Sequence, residues 1–323
     1  MWCAARKFVK PPAIQRVYSR CCSHSLVFRC RVHCYADDLQ LYVHCRADKS
    51  VTAIAQLLAC IQAIDRWMGS NRLKMNPDKT QFIWLGSRQQ LSAINVTPLH
   101  LHDSTVIMPS TPVRNLGAVF DCEMTMLHHI NSVTRSCFYY LRQLRTVRRA
   151  LTHDSAKMLA HAFVSSRVDY CNSILFGASA HVLRKMQAVL NATARLVCGL
   201  GPFDHITPAM RDDLHWLPVR QRIEYKIALL VYKCLHGAAP VYLSDYCVVI
   251  TETDKRHNLR SISRGDLLQP RTRTHRLSPR SFRYSGPSVW NSLPATIRDN
   301  SLTLGQFKQH LKHHLFCAAY DIV

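Results

Sequence analysis

Two adjacent carboxylates set between two strand-like stretches constrain this chain more than any other feature. The block runs Cys34-Tyr35-Ala36-Asp37-Asp38-Leu39-Gln40-Leu41-Tyr42-Val43. Upstream, Phe28, Cys30, Val32 and Cys34 alternate with Arg29, Arg31, His33 and Tyr35; downstream, Leu39, Leu41, Val43 and Cys45 alternate with Gln40, Tyr42 and His44. Period-two alternation on both sides of a short polar break predicts a β-hairpin with Ala36-Asp37-Asp38 at its tip. Tight turns suit short polar side chains. Two carboxylates there repel each other unless a cation lies between them or water screens both. Taken alone, Asp37 and Asp38 are therefore either a divalent-metal pair or a solvated turn.

The block resembles the Y-A-D-D box of reverse transcriptases, and further segments extend the resemblance in the family's order. W-M-G-S-N-R-L-K-M-N-P-D-K-T at 67–80 is similar to the next palm segment of reverse transcriptases from LINE-type, non-LTR retrotransposons of the jockey-like group. V-R-N-L-G-A-V-F-D at 113–121 resembles their following box, a hairpin that grips the primer. S-S-R-V-D-Y-C-N-S at 165–173, L-H-W-L-P-V-R-Q-R at 214–222 and S-G-P-S-V-W-N-S-L-P at 285–294 resemble the thumb and C-terminal region. The resemblance spans about residues 24–315. It implies an α+β fold: a truncated palm of β-hairpin plus helix at 24–121, a helical thumb at 122–215 and a helical, basic C-terminal region at 216–323. Residues 1–23 stay unassigned.

The activity implied by the resemblance is RNA-directed DNA polymerisation, with two Mg²⁺ ions joining a primer 3′-hydroxyl to an incoming deoxynucleotide. Asp37 would be the main metal ligand and Asp38 an auxiliary one. Lys79 would bind or protonate the departing pyrophosphate, where negative charge develops; without the resemblance it is a solvated loop lysine. Two-metal centres hold their ions roughly 3.5–4 Å apart, which takes carboxylates converging from separate strands. Residues 1–36 contain no Asp or Glu, so the further carboxylate expected from an earlier palm strand is missing. The chain is expected to correspond to the back half of such an enzyme and to be inactive by itself. Two other readings stand beside the enzyme: a non-catalytic remnant binding RNA, DNA or an RNA–DNA hybrid without sequence preference, and a relic without selected function, weakened by an unpaired strand edge.

Charge bears on the partner. Lys and Arg number 42 against 20 Asp and Glu, a net charge of +22, which favours a polyanion. An anionic membrane surface would attract the same total, but no apolar run approaches the roughly 18 residues of a spanning helix. No membrane partner is expected, and the location expected is cytoplasmic or nuclear. The 14 cysteines are dispersed and form no C-x-x-C pair, so buried free thiols are expected. Cys30, His33 and Cys34, or His310, His313, His314 and Cys317, could ligate a metal, but neither group has a second pair at zinc spacing.

Asp48 is placed to cap a helix with apolar positions Val51, Ile54, Leu57, Leu58, Ile61, Ile64, Trp67 and Met68. Strand signals follow at 81–85, 99–101, 105–108 and 116–120, where Gly117 allows either strand packing or a primer to come close. From Glu123 the period is helical. Ile130, Val133, Cys137, Tyr140, Leu141, Leu144 and Val147 form an apolar stripe, and Arg135, Arg142, Arg145 and Arg149 recur on another face beside Arg148. No acid interrupts 125–153. This face suits a phosphate backbone, or else it is simply solvated. Residues 255–283 carry nine Lys and Arg, including Arg271, Arg273, Arg276 and Arg280, against Asp266 alone. They form a phosphate-binding segment or a basic linker. Trp216 and Leu217 read as packing residues.

Overall fold

A computed structural model describes the backbone of 2–6 and residues 30–35, 38–101, 105–250, 265–271 and 278–322. The chain forms two compact units, Met1–His129 and Ile130–Val323. Among the described residues all the strands lie in the first unit, beside helices, and the second is helical, so the fold class is α+β.

In the first unit β1 (Trp2–Arg6), β2 (Arg31–Tyr35), β3 (Asp38–Tyr42) and β4 (Gln81–Ile83) form an antiparallel sheet in the order β2-β3-β1-β4. The predicted hairpin is β2–β3. Its closing pair is Tyr35 with Asp38, so Asp38 opens β3 and is not at the tip. Ala36 and Asp37, between these two in the sequence, lie outside the described residues. The central strand was not legible: Trp2–Arg6, from the unassigned stretch, pairs with β3 on one side and β4 on the other. β3 is thus paired on both sides, and β2 and β4 are the edges of this sheet.

One long helix, α1 (Ser50–Ser70), packs on this sheet. Ile54, Leu57, Ile61, Ile64 and Met68 recur at helical spacing and are buried together with Leu39, Leu41, Phe82 and Trp84. Burying each large side chain contributes about 1.5–3 kcal/mol. Truncating Leu57, fully enclosed, would cost about 2–5 kcal/mol. Two expectations are corrected at the helix start. Val51 is exposed because it lies in the first turn, off the buried stripe. Asp48 does not cap α1: it sits in a 3₁₀ turn, Ala47–Lys49, where its carboxylate accepts from Arg46 Nε at 3.2 Å.

The strand β3 is buried on both faces, and its Gln40 donates through Nε2 to Asn115 Oδ1 at 2.7 Å. Asn115 ends β7 (Val113–Asn115), the partner of β8 (Ala118–Phe120); β5 (Leu99–His100) and β6 (Val106–Ile107) make another short pair. Between β7 and β8, Leu116 and Gly117 have φ of 43° and 82°. A type I′ hairpin turn needs positive φ at both central residues, so Gly117 serves the turn. After β8, buried Asp121 accepts from Thr125 N at 2.8 Å, Thr125 Oγ1 at 3.0 Å and Met126 N at 2.9 Å. Those bonds hold a turn where a helix was expected from Glu123.

The helix that follows, α2 (Leu127–Val147), buries Ile130, Cys137, Leu141 and Leu144, while Val147 in its last turn is exposed. In the second unit Thr152 caps α3 (His153–Ala160), which widens through a π-turn at His161–Ser165 into Ser166–Asp169. Next come α4 (Ala180–Cys198), α5 (Val219–Leu235), α6 (Phe282–Ser292) and α7 (Leu304–Tyr320). α5 packs against α4, α6 and α7. Tyr232 of α5 stacks on Phe307 of α7 with ring centroids 4.3 Å apart, and Trp290 of α6 lies 5.9 Å from Phe307. Among the described residues no helix is long and apolar enough to cross a membrane.

Candidate functional site

Strand register brings the first set of candidate residues to one end of the sheet. Asp38 begins β3, and Arg6 of β1 stands opposite it. On the other side of β1, Ala4 pairs with Gln81. Lys79 precedes Gln81 by two positions in a 3₁₀ turn, Pro77–Lys79, that packs against β1. Asn76 builds this turn: its Oδ1 accepts from Asp78 N at 3.1 Å, and its carbonyl accepts from Thr80 Oγ1 at 2.8 Å. Thr80 is buried and Lys79 exposed. Asp38, Arg6 and the Lys79 turn thus share one sheet end, across β3, β1 and β4.

A two-Mg²⁺ centre takes carboxylates converging from separate strands; at this end the described residues place Asp38 at the start of β3 and Asp78 in the turn before β4. Among the described residues no group of three or more His, Cys, Asp or Glu could hold a metal ion. Asp37 lies outside those residues.

The second candidate surface is the outer face of α2. Arg135, Arg142 and Arg145 are exposed on it, and Arg149 is exposed in the 3₁₀ turn Arg148–Ala150 that follows. Arg148 differs. Its guanidinium turns inward to the end of α4, donating to Leu196 O and Val197 O, both at 2.7 Å.

Between Arg135 and Arg142 lie two side chains that the sequence reading missed, Phe138 at 37% and Tyr139 at 52% exposure. The spacing held the signal, since positions three and four beyond Arg135 share its face. Tyr139 meets Tyr140 edge-on at 5.4 Å, and Tyr140 stacks on Phe163 at 5.2 Å and 17°. The Arg167 guanidinium covers the Tyr140 ring at 4.3 Å. Cations and open aromatic rings therefore alternate along this face.

Comparison with known proteins adds nothing to this geometry. No family model, curated protein or solved structure matches the chain.

In the basic segment Arg273 and Arg276 lie outside the described residues, as do Lys255, Arg256, Arg260 and Arg264. Arg271 is exposed. Arg280 is half-buried, its stem laid against Gly177, where an added Cβ would come within 2.9 Å of Arg280 Cγ. Asp266 forms a salt bridge with buried Arg298. Among the described cysteines, Cys30, Cys60, Cys137, Cys234 and Cys247 are buried and in no disulfide. Burial pushes Cys137 up to about 11 and Cys247 up to about 12, which keeps both as neutral thiols.

Proposed function

We propose that this chain is the palm-to-C-terminal part of a LINE-type retrotransposon reverse transcriptase, and that in this form it binds RNA, DNA or an RNA–DNA hybrid along the backbone without copying it. The observation that carries binding is the α2 face, where exposed Arg135, Arg142 and Arg145 flank exposed Phe138 and Tyr139 with no acid between Thr125 and His153. Arginines neutralise phosphates and release counterions, while aromatic rings stack on bases without sequence preference. Support for the lineage comes from the order of the sequence motifs and from the placement of Asp38 and the Lys79 turn at one sheet end. No step of nucleotide transfer is assigned to these residues.

Two assays on the purified chain test the reading. The first is primer extension on an RNA template with Mg²⁺ and deoxynucleotides, comparing the chain with an Asp37→Ala, Asp38→Ala double variant; neither should extend. Extension that the double variant abolishes would overturn the non-copying reading. The second is titration of a labelled RNA and a labelled single-stranded DNA at several salt concentrations. Affinity should fall steeply with salt for both, and salt-independent affinity would overturn backbone binding.

A further inference from the structure

Three aromatic rings form a row that starts on the outer face of α2 and crosses to the π-turn after α3. Tyr139 meets Tyr140 edge-on with centroids 5.4 Å apart, and Tyr140 stacks on Phe163 at 5.2 Å and 17°. The middle ring is already engaged, since the Arg167 guanidinium covers it at 4.3 Å. The outer two are open: Tyr139 is 52% exposed and Phe163 37%.

Two observations set this row apart from scattered surface aromatics. Singly exposed apolar side chains are ordinary, whereas a contiguous set marks a binding surface. Phe163 is also the middle residue of the π-turn His161–Ser165, and π-turns inside helices are rare and gather at functional sites. The backbone there is tied to the row itself: Arg167 Nη1 donates to the Phe163 carbonyl at 2.9 Å while its guanidinium lies over Tyr140.

Charge chooses the partner, and the open rings choose its form. Exposed Arg135 and Arg142 stand four residues before and three after Tyr139, on its face of the helix, and no acid occurs over 125–153. A protein partner would need acids matched to these arginines, whereas every nucleic acid supplies phosphates. In a duplex the flat faces of the bases are covered by their neighbours, so the arginines alone could engage it. A single strand offers phosphates to the arginines and unstacked bases to the rings. Stacking on one aromatic side chain is worth roughly 5- to 150-fold in affinity per base. We infer, on the nucleic-acid reading above, that this face prefers single-stranded RNA or DNA to a duplex, with bases stacked on Tyr139 and Phe163 and phosphates held by Arg135 and Arg142.

The test titrates the full chain with labelled single-stranded RNA and single-stranded DNA, and with RNA and DNA duplexes matched to them in phosphate number, all at one salt concentration. Each single strand should bind at least tenfold more tightly than its duplex. A Tyr139→Leu, Phe163→Leu variant should lose at least tenfold for single strands and keep its duplex affinity, whereas Arg142→Ala should weaken both forms alike. A thermal melt checks folding, and Tyr139→Leu alone, which removes the more exposed ring, repeats the comparison if the double variant does not fold. A single strand carrying 5-iodouracil should photocrosslink to Tyr139 or Phe163. Duplexes bound as tightly as single strands, a preference that survives loss of the rings, or crosslinks that miss both rings would each overturn the single-strand site while backbone binding stands. Failure to bind either form would overturn both.

Discussion

The Arg148 guanidinium closes the C-terminal end of α4 by donating to the Leu196 carbonyl at 2.7 Å, with the Val197 carbonyl bound at the same distance. The last carbonyls of a helix lack intrahelical partners and carry the negative end of its dipole. One cation in an arginine-rich stretch is thereby committed to the fold, while Arg142 and Arg145 on the preceding helix α2 stay exposed.

That division predicts two separable phenotypes. Arg148→Ala should destabilise the second unit by about 1–3 kcal/mol, the cost of charge-assisted bonds and stranded carbonyls. A lowered midpoint in thermal or urea unfolding would show it. Arg142→Ala should leave the midpoint in place and reduce the slope of log affinity against log salt by about 1, one phosphate contact fewer. Equal loss of stability in both variants would contradict the division.

Gln40 and Asn115 make a second such test in the first unit. Their side chains are buried and joined at 2.7 Å. Gln40→Ala strands Asn115 Oδ1 and is expected to cost about 1–3 kcal/mol. In a double-mutant cycle with Asn115→Ala the two losses should not add, because the pair shares one bond. Additive losses would mean the bond contributes nothing.

Acid should weaken the protein through His129. This side chain is buried, accepts from Val119 N at 3.4 Å through Nδ1, and is held below the ordinary 6.5 by burial. In the native state the imidazole is neutral, whereas the unfolded chain takes up a proton near 6.5. Its stability is therefore complete above that value and is lost as pH falls below it. His161 adds in the same direction, through burial first and then the positive charges of Arg222 and Lys157. The unfolding midpoint should drop between about pH 7 and about pH 5. His129→Gln should flatten part of that drop, and an unchanged profile would remove His129 from the account.

Gly177 supplies a steric test of where Arg280 sits. With φ of +68° and Arg280 Cγ 2.9 Å from a built Cβ, Gly177→Ala meets both backbone strain and a clash. Gly199 has the same φ and open space around it. Gly199→Ala should cost about 1–2 kcal/mol, the left-handed penalty alone, and Gly177→Ala more. Comparing the two unfolding midpoints separates strain from packing.

Local periodicity in the sequence determined the hairpin around Asp38, the helices α1 and α2 and the arginine face, because side-chain alternation and helical spacing follow from backbone geometry alone. Tertiary structure decided the rest. Trp2–Arg6 carry no pattern that marks a strand, and only pairing with β3 and β4 makes them the centre of the sheet and puts Arg6 opposite Asp38. Arg148 is indistinguishable from its neighbours until α4 ends beside it. Tyr140 and Phe163 belong to different helical segments, and nothing local signals that their rings will stack. Local pattern records what a segment can form, whereas register, burial and ring stacking depend on which distant segment arrives beside it.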